Sequence, residues 1–257
     1  MIRKYLISIE PEDGIRRESF FKRNKLSANE FIVKGIIGKD LSVQEYYELA
    51  VLGTKVPLTP AELGCKLSHL ACLQDFLASS SDFAAIFEDD VTAKSDFDFG
   101  ADFSCLGKNF YLHLGDLQFS RSKRLYGAKT NFIFSGLTAW DLNRTFFNSL
   151  FGAYAYIVDR TCAEYLVLYL KNPVVADDFP GFSDFNNDLK IYIMDAFNHA
   201  TKQDNTYNSY IEHEREQRNQ IYTSIELTQA IVQWLKKRKW RITQTFLKLF
   251  LTRYQKD

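Results

Sequence analysis

No stretch of this chain leaves less freedom than Asp82-Phe-Ala-Ala-Ile-Phe-Glu-Asp-Asp-Val91. The apolar run Phe83 to Phe87 suits a strand buried on both faces of an α/β sheet. It runs straight into Glu88, Asp89 and Asp90, three carboxylates whose mutual repulsion is relieved only by water or a cation. A buried strand that delivers acids from its carboxyl end places them in the crevice where open α/β sheets bind ligands. Hard cations such as Mg²⁺ or Mn²⁺, held jointly with a phosphate-bearing ligand, take such oxygen donors. A solvated acidic turn, with Asp89 or Asp90 capping a following helix, fits the residues equally well.

Strands and helices alternate around this segment. Lys4 to Ile9 reads as a first buried strand, followed by a helix carrying Arg16, Arg17, Phe20, Phe21 and Arg23. Arginines in the first turn after a first strand either reach a ligand's phosphates or stay solvated. Phe31 to Ile37 reads as a second strand. Ser42 to Leu52 is a helix with a Ser42/Glu45 capping box, and Thr59-Pro60-Ala-Glu62 opens another with cap, N1 proline and capping-box acid. That second helix carries a leucine stripe, a histidine (His69) beside Ser68, and Gly64, whose cost in a helix of about 1 kcal/mol relative to alanine implies a close neighbour.

Further strands are expected at Asn109 to Leu114, Ala153 to Val158 and Leu189 to Met194. Between the second and third of these lies a helix capped by Asp159. Ser120 to Lys129 reads as a basic loop, and Asp177-Asp178 as acids in a loop before Pro180-Gly181. The alternation predicts an α/β layer fold with a largely parallel sheet.

The four cysteines, Cys65, Cys72, Cys105 and Cys162, form no metal-ligand spacing; Cys65 and Cys72 read as small buried hydrophobes. No secretory leader or membrane-spanning run is read, so an intracellular, reduced chain is expected. Lys+Arg and Asp+Glu both total 32, so global charge says nothing of nucleic acid, and none is expected as a partner. Charge is unevenly spread, however. From Leu227 to Tyr254 no Gly or Pro interrupts an apolar stripe, and Lys236 to Lys239 with Arg241 cluster beside Trp234 and Trp240. Such a basic amphipathic helix suits an anionic membrane surface; docking on the core or a dimer seam are its alternatives. The expected organisation is a domain over 1–222 and a basic helical segment over 223–257.

The ordered set of Arg16-Arg17, Leu58-Thr-Pro-Ala-Glu-Leu-Gly-Cys-Lys-Leu-Ser-His69, Ala85-Ile-Phe-Glu-Asp-Asp-Val91, Gly152-Ala-Tyr-Ala-Tyr-Ile157, Asp177-Asp178, Gln203 and Ser209-Tyr-Ile211 resembles glycosyltransferase family 25. That family contains bacterial lipooligosaccharide galactosyltransferases and has collagen galactosyltransferases among its relatives. The resemblance runs from the first strand to about Ile211 and leaves out the basic tail. It implies a GT-A-like, Rossmann-type domain that inverts the anomeric centre of a UDP-sugar, most often UDP-galactose. Glu88 and Asp90 would hold Mn²⁺ (or Mg²⁺), and Asp177 or Asp178 would take the acceptor's proton. Arg16, Arg17, Gly64, Ser68, His69, Asp89, Tyr154 and Gln203 would contact the donor, with His199 a weaker candidate for metal or phosphate. Tyr156 either stacks on a sugar or fills the core. The acceptor would be a glycolipid oligosaccharide in lipopolysaccharide or lipooligosaccharide synthesis at the inner face of the bacterial inner membrane. The same fold acting on UDP-glucose or a UDP-N-acetylhexosamine, or a non-catalytic membrane-associated binding protein or scaffold, are the competing readings.

Overall fold

The computed structural model describes residues 1–115, 124–199, 210–221, 243–245, 247–248 and 251–253. Strand β1 (Ile2–Ile7) leads into helix α1 (Ile15–Asn24) and strand β2 (Phe31–Lys34). β2 ends at Lys34, short of the apolar run expected to reach Ile37, and Gly35 then packs on β1's exit, where a Cβ would lie 2.0 Å from the Ser8 carbonyl oxygen. Helix α2 (Val43–Tyr46) has the expected Ser42/Glu45 capping box but passes into a π turn at Tyr47–Val51. Helix α3 (Pro60–Ala78) begins at the Thr59/Glu62 capping box. Its Gly64 is pressed by the Ile36–Gly38 segment, where a Cβ would meet the Ile36 carbonyl oxygen at 2.5 Å.

The acidic segment then forms strands β3 (Phe83–Glu88) and β4 (Val91–Ala93), so Asp89 and Asp90 occupy a tight turn between strands and cap no helix. Strand β5 (Phe110–Gly115) is followed by a hairpin of β6 (Tyr126–Phe134) and β7 (Leu137–Leu142). This corrects the expectation of a basic loop through Lys129: Tyr126 to Lys129 are strand residues. Strand β8 (Ala155–Asp159), helix α4 (Arg160–Tyr169), helix α5 (Phe179–Phe185), strand β9 (Lys190–His199), helix α6 (Tyr210–Ile221) and strand β10 (Thr252–Arg253) complete the described chain.

The strands lie in the order β10-β6-β7-β9-β5-β8-β3-β1-β2, with β4 pairing off this path to β9. In the central block from β9 to β2, β8 alone runs against the other five strands. A mostly parallel central sheet is therefore correct for strand direction. Pairing is mixed: β8 lies between β3 and β5 and is antiparallel to both, as are all pairs around the hairpin. Alternation along β3 sends Ala84 and Ile86 into the core beneath α3 and α4, and Ala85 and Phe87 into a second core beneath α1. Both faces are buried, which is why the run is continuously apolar.

The far end of the chain also packs on this frame. Leu247 and Leu251 lie against the larger core, and β10 pairs with Tyr126 and Gly127 of β6. The basic cluster Lys236 to Arg241 lies outside the described residues. No helix among those described is long and apolar enough to cross a membrane.

Candidate active site

Period-two alternation decides where the first acid points. Glu88 shares the face of Ala84 and Ile86 and so meets α3, where Cys65 and His69 stand one turn apart. His69 Nε2 lies 3.4 Å, and Cys65 Sγ 3.9 Å, from Glu88 Oε1. Glu88 N–H donates to the Tyr154 carbonyl at 2.7 Å, which ties the carboxyl end of β3 to the entry of β8.

Asp89 turns the other way. Its carboxylate accepts from Ser8 Oγ at 2.6 Å and pairs with Arg16 at 2.5 Å. Arg16 also lies 3.6 Å from Asp90. Burial alone would lower the Arg16 pKa, but Asp89 and Asp90 outweigh it and raise the guanidinium above its ordinary value. Two further α1 residues hold the turn. The Arg23 guanidinium donates to the Asp89 and Val91 carbonyls, and Asn24 brackets β4 by donating to Val91 O and accepting from Ala93 N–H. Arg17 has no ion-pair partner among the described residues.

Asp90 faces His199, at the end of β9, whose Nε2 is 3.2 Å from Asp90 Oδ2. Burial opposes ionisation of Asp90, yet His199 and Arg16 hold its carboxyl below the usual value. Its other oxygen, Oδ1, is shut off from solvent with no hydrogen-bond partner among the described residues. Glu88, Asp90 and His199 each offer a ligand atom, all within 4.8 Å of one another. An enclosed, unpartnered carboxylate oxygen in a carboxylate–carboxylate–imidazole set fits a divalent cation.

The second pair of acids separates by role. Both Asp178 oxygens are committed to the fold: Oδ1 caps α5 by accepting from Gly181 N–H at 3.1 Å, and Oδ2 accepts from Tyr169 OH at 2.6 Å. Asp177 Oδ2 accepts from Gly152 N–H at 2.8 Å. Gly152 has φ +78° and lies under the Tyr154 ring, and its carbonyl accepts from His113 Nε2 at 2.8 Å. Asp177 and Glu88 both help raise the Cys65 thiol and the Tyr111 phenol, after burial, so the two carboxylates act on one region.

Of the remaining expected residues, Tyr154 packs its ring on His199, with centroids 4.0 Å apart. Tyr156 is a core residue that stacks on Tyr111 and meets His69 Nδ1 at 2.9 Å. Gly64 and Ser68 face the Ile36–Gly38 segment: Ser68 Oγ accepts from Ile36 N–H at 2.9 Å and donates to Gly64 O. Gln203 lies outside the described residues. Cys65, read from its spacing to Cys72 as a buried hydrophobe, is instead half-buried beside Glu88; its position one turn before His69 was the usable signal.

Fold and site together define an α/β protein with acids gathered at the carboxyl edge of its sheet, a usual ligand position in this class, and a candidate cation centre among them. The chain belongs to glycosyltransferase family 25 (LPS biosynthesis protein), whose family profile matches residues 1–180. No curated protein matches it. Among solved structures, it is similar to A197 from STIV at 14% identity and TM-score 0.38, over 78% of this chain and 86% of that one. A second similar structure is the mannose-1-phosphate geranyltransferase from Thermus thermophilus, at 8% identity and TM-score 0.38, over 76% of this chain and 74% of that one.

Proposed function

We propose that this chain is a metal-dependent, inverting galactosyltransferase that moves galactose from UDP-galactose to a saccharide acceptor in lipopolysaccharide or lipooligosaccharide synthesis. The observation that carries the reading is the convergence of Glu88, Asp90 and His199 at the carboxyl edge of the sheet, in a chain of a glycosyltransferase family. These three side chains would hold Mn²⁺ or Mg²⁺, which when bound neutralises charge on a departing diphosphate.

The other roles belong to the chain's own groups. Arg16 fixes Asp89 and Asp90 and adds positive charge where the donor's phosphates lie. His69 and Tyr154 line the donor side, and Gly64 and Ser68 support α3 from behind. Inversion needs a single displacement. The acceptor oxygen bonds to the anomeric carbon as the bond to UDP breaks, and a carboxylate takes the hydroxyl proton. We assign that proton to Asp177 Oδ1, because Gly152 holds the other oxygen and Asp178 is occupied as a helix cap. Gln203 completes the nucleotide side. Residues 1–222, whose sheet β10 extends, carry the catalytic side chains, and the cluster Lys236 to Arg241 holds them to the inner face of the membrane.

UDP release from a panel of UDP-sugars, with and without Mn²⁺, tests this reading, with calorimetry for donor binding. Release from UDP-galactose that EDTA abolishes is expected. Preference for UDP-glucose or a UDP-N-acetylhexosamine would change the donor, and absence of both release and binding would leave a non-catalytic protein. Sedimentation with anionic liposomes, lost when Lys236, Lys237, Arg238, Lys239 and Arg241 are replaced by Gln, tests the membrane contact and leaves β10 in the sheet.

A further inference from the structure

Glu88 also belongs to a second cluster of different chemistry. Cys65 Sγ, His69 Nε2 and a Glu88 carboxylate oxygen lie within 4.8 Å of one another. The imidazole is fixed for ligation. Its Nδ1 is 2.9 Å from Tyr156 OH, and its ring stacks on that of Tyr156 at 5.6 Å and 24°. Tyr156 is itself locked in the core against Tyr111, with centroids 4.6 Å apart. A histidine whose far nitrogen is hydrogen-bonded, leaving Nε2 directed at a thiol and a carboxylate, is the usual arrangement of a metal-ligating imidazole. Cys65 and His69, four residues apart on α3, present both donors to one point without any backbone change.

The donor set differs in kind from its neighbour. Two carboxylates and an imidazole favour a hard cation, whereas thiolate, imidazole and a single carboxylate favour a borderline or soft one. Three protein ligands of the N, S and O types, with a fourth position left for water, match open zinc sites.

We propose that Cys65, His69 and Glu88 form a binding site for Zn²⁺, separate from the hard-cation set and sharing only Glu88 with it. On binding, the Cys65 Sγ–H bond breaks, its proton passes to water, and the thiolate sulfur bonds to the ion. The site does not depend on the transferase reading, because occupancy is measured as binding and not as turnover.

The test uses the full chain carrying Cys105→Ser, which removes the exposed thiol, with Co²⁺ as the spectroscopic stand-in for Zn²⁺. Titration should give a thiolate-to-cobalt charge-transfer band that Zn²⁺ bleaches. The band should be lost in Cys65→Ser, kept in Asp90→Asn, and need at least about tenfold more Co²⁺ in His69→Gln. Absence of the band in the parent, or its survival in Cys65→Ser, overturns the proposal. A second measurement covers the case of a variant that does not fold. Alkylation of Cys65 in the parent, followed by peptide mass spectrometry, should slow at least about tenfold when Zn²⁺ is added, and equal rates would overturn the proposal.

Discussion

Arg16 Nη2 sits 2.5 Å from Asp89 Oδ1, joining the first helix to the middle one of three consecutive acids. Asp89 is almost wholly buried while Arg16 is over a third exposed, so solvent screens one side of the pair. Removing the arginine leaves a buried carboxylate with only Ser8 for company. Arg16→Ala should therefore cost about 1–2 kcal/mol of stability, whereas Arg17→Ala should stay within about 0.5 kcal/mol. Urea denaturation of the two variants checks the contrast.

The two adjacent acids at 177 and 178 should part in kinetics and stability. Asp177→Asn should lower turnover by about a hundredfold or more, the scale of a lost general base, with little change in melting temperature. Asp178→Ala should lose roughly 1 kcal/mol of helix capping and keep its turnover, while Asp178→Asn, still a competent cap, should lose less. Transfer assays and thermal melts on the same preparations separate these outcomes.

His113 is buried, and burial pushes its pKa down to about 4 although the Gly152 and Phe151 carbonyls oppose this. Between that value and its ordinary 6.5, the unfolded chain binds a proton that the native chain refuses. Stability therefore rises with pH across this window, and acidification removes it progressively, by roughly 3 kcal/mol at most. Unfolding free energies from pH 7 to pH 4 should fall, and the fall should shrink in His113→Gln.

Glu62 carries both the Thr59 capping box and the dock of α6, through Arg215 at 2.6 Å and Arg218 at 2.5 Å. Burial opposes its charge, but these partners leave its carboxyl below the usual value. Its contribution is present above the ordinary carboxylate pKa and is lost as pH falls through the lowered one. Glu62→Gln should destabilise the chain by about 2–4 kcal/mol and speed hydrogen exchange in α6 more than elsewhere.

Local signals in the sequence were faithful where one residue type serves one purpose. The Ser42 and Thr59 capping boxes, the buried run of β3 and the crowding at Gly64 all stand where the residues placed them. What did not show depends on distant pairing. Nothing local to Ala155–Asp159 says that β8 runs against its neighbours, because its pairing with β3 and β5 is set by tertiary contacts. The β6–β7 hairpin did leave a mark: Ser135 and Gly136, at φ +51° and +78°, form a two-residue turn of the kind such hairpins prefer. In the site, Glu88 and Asp90 stood out in the sequence as adjacent acids at a strand end, and of the two arginines only Arg16 meets them. That Asp89 serves Arg16, that His199 joins Asp90, and that Cys65 faces Glu88 required the sheet to bring 65–69, 88–90 and 199 together.

The reversed direction of β8 has one more effect. Its entry, from Gly152 to Tyr154, arrives at the same rim as the exits of β1, β3 and β9, so the crevice is furnished by chain arriving as well as by chain leaving. The acids stand on strand ends anchored by α1, while the opposite wall is an approach loop pinned to them, through Glu88 N–H on the Tyr154 carbonyl and Gly152 N–H on Asp177. The two walls of this rim therefore cannot drift apart in evolution: a substitution in the loop reaches the acids through its own backbone, and the arriving and departing chain must change together.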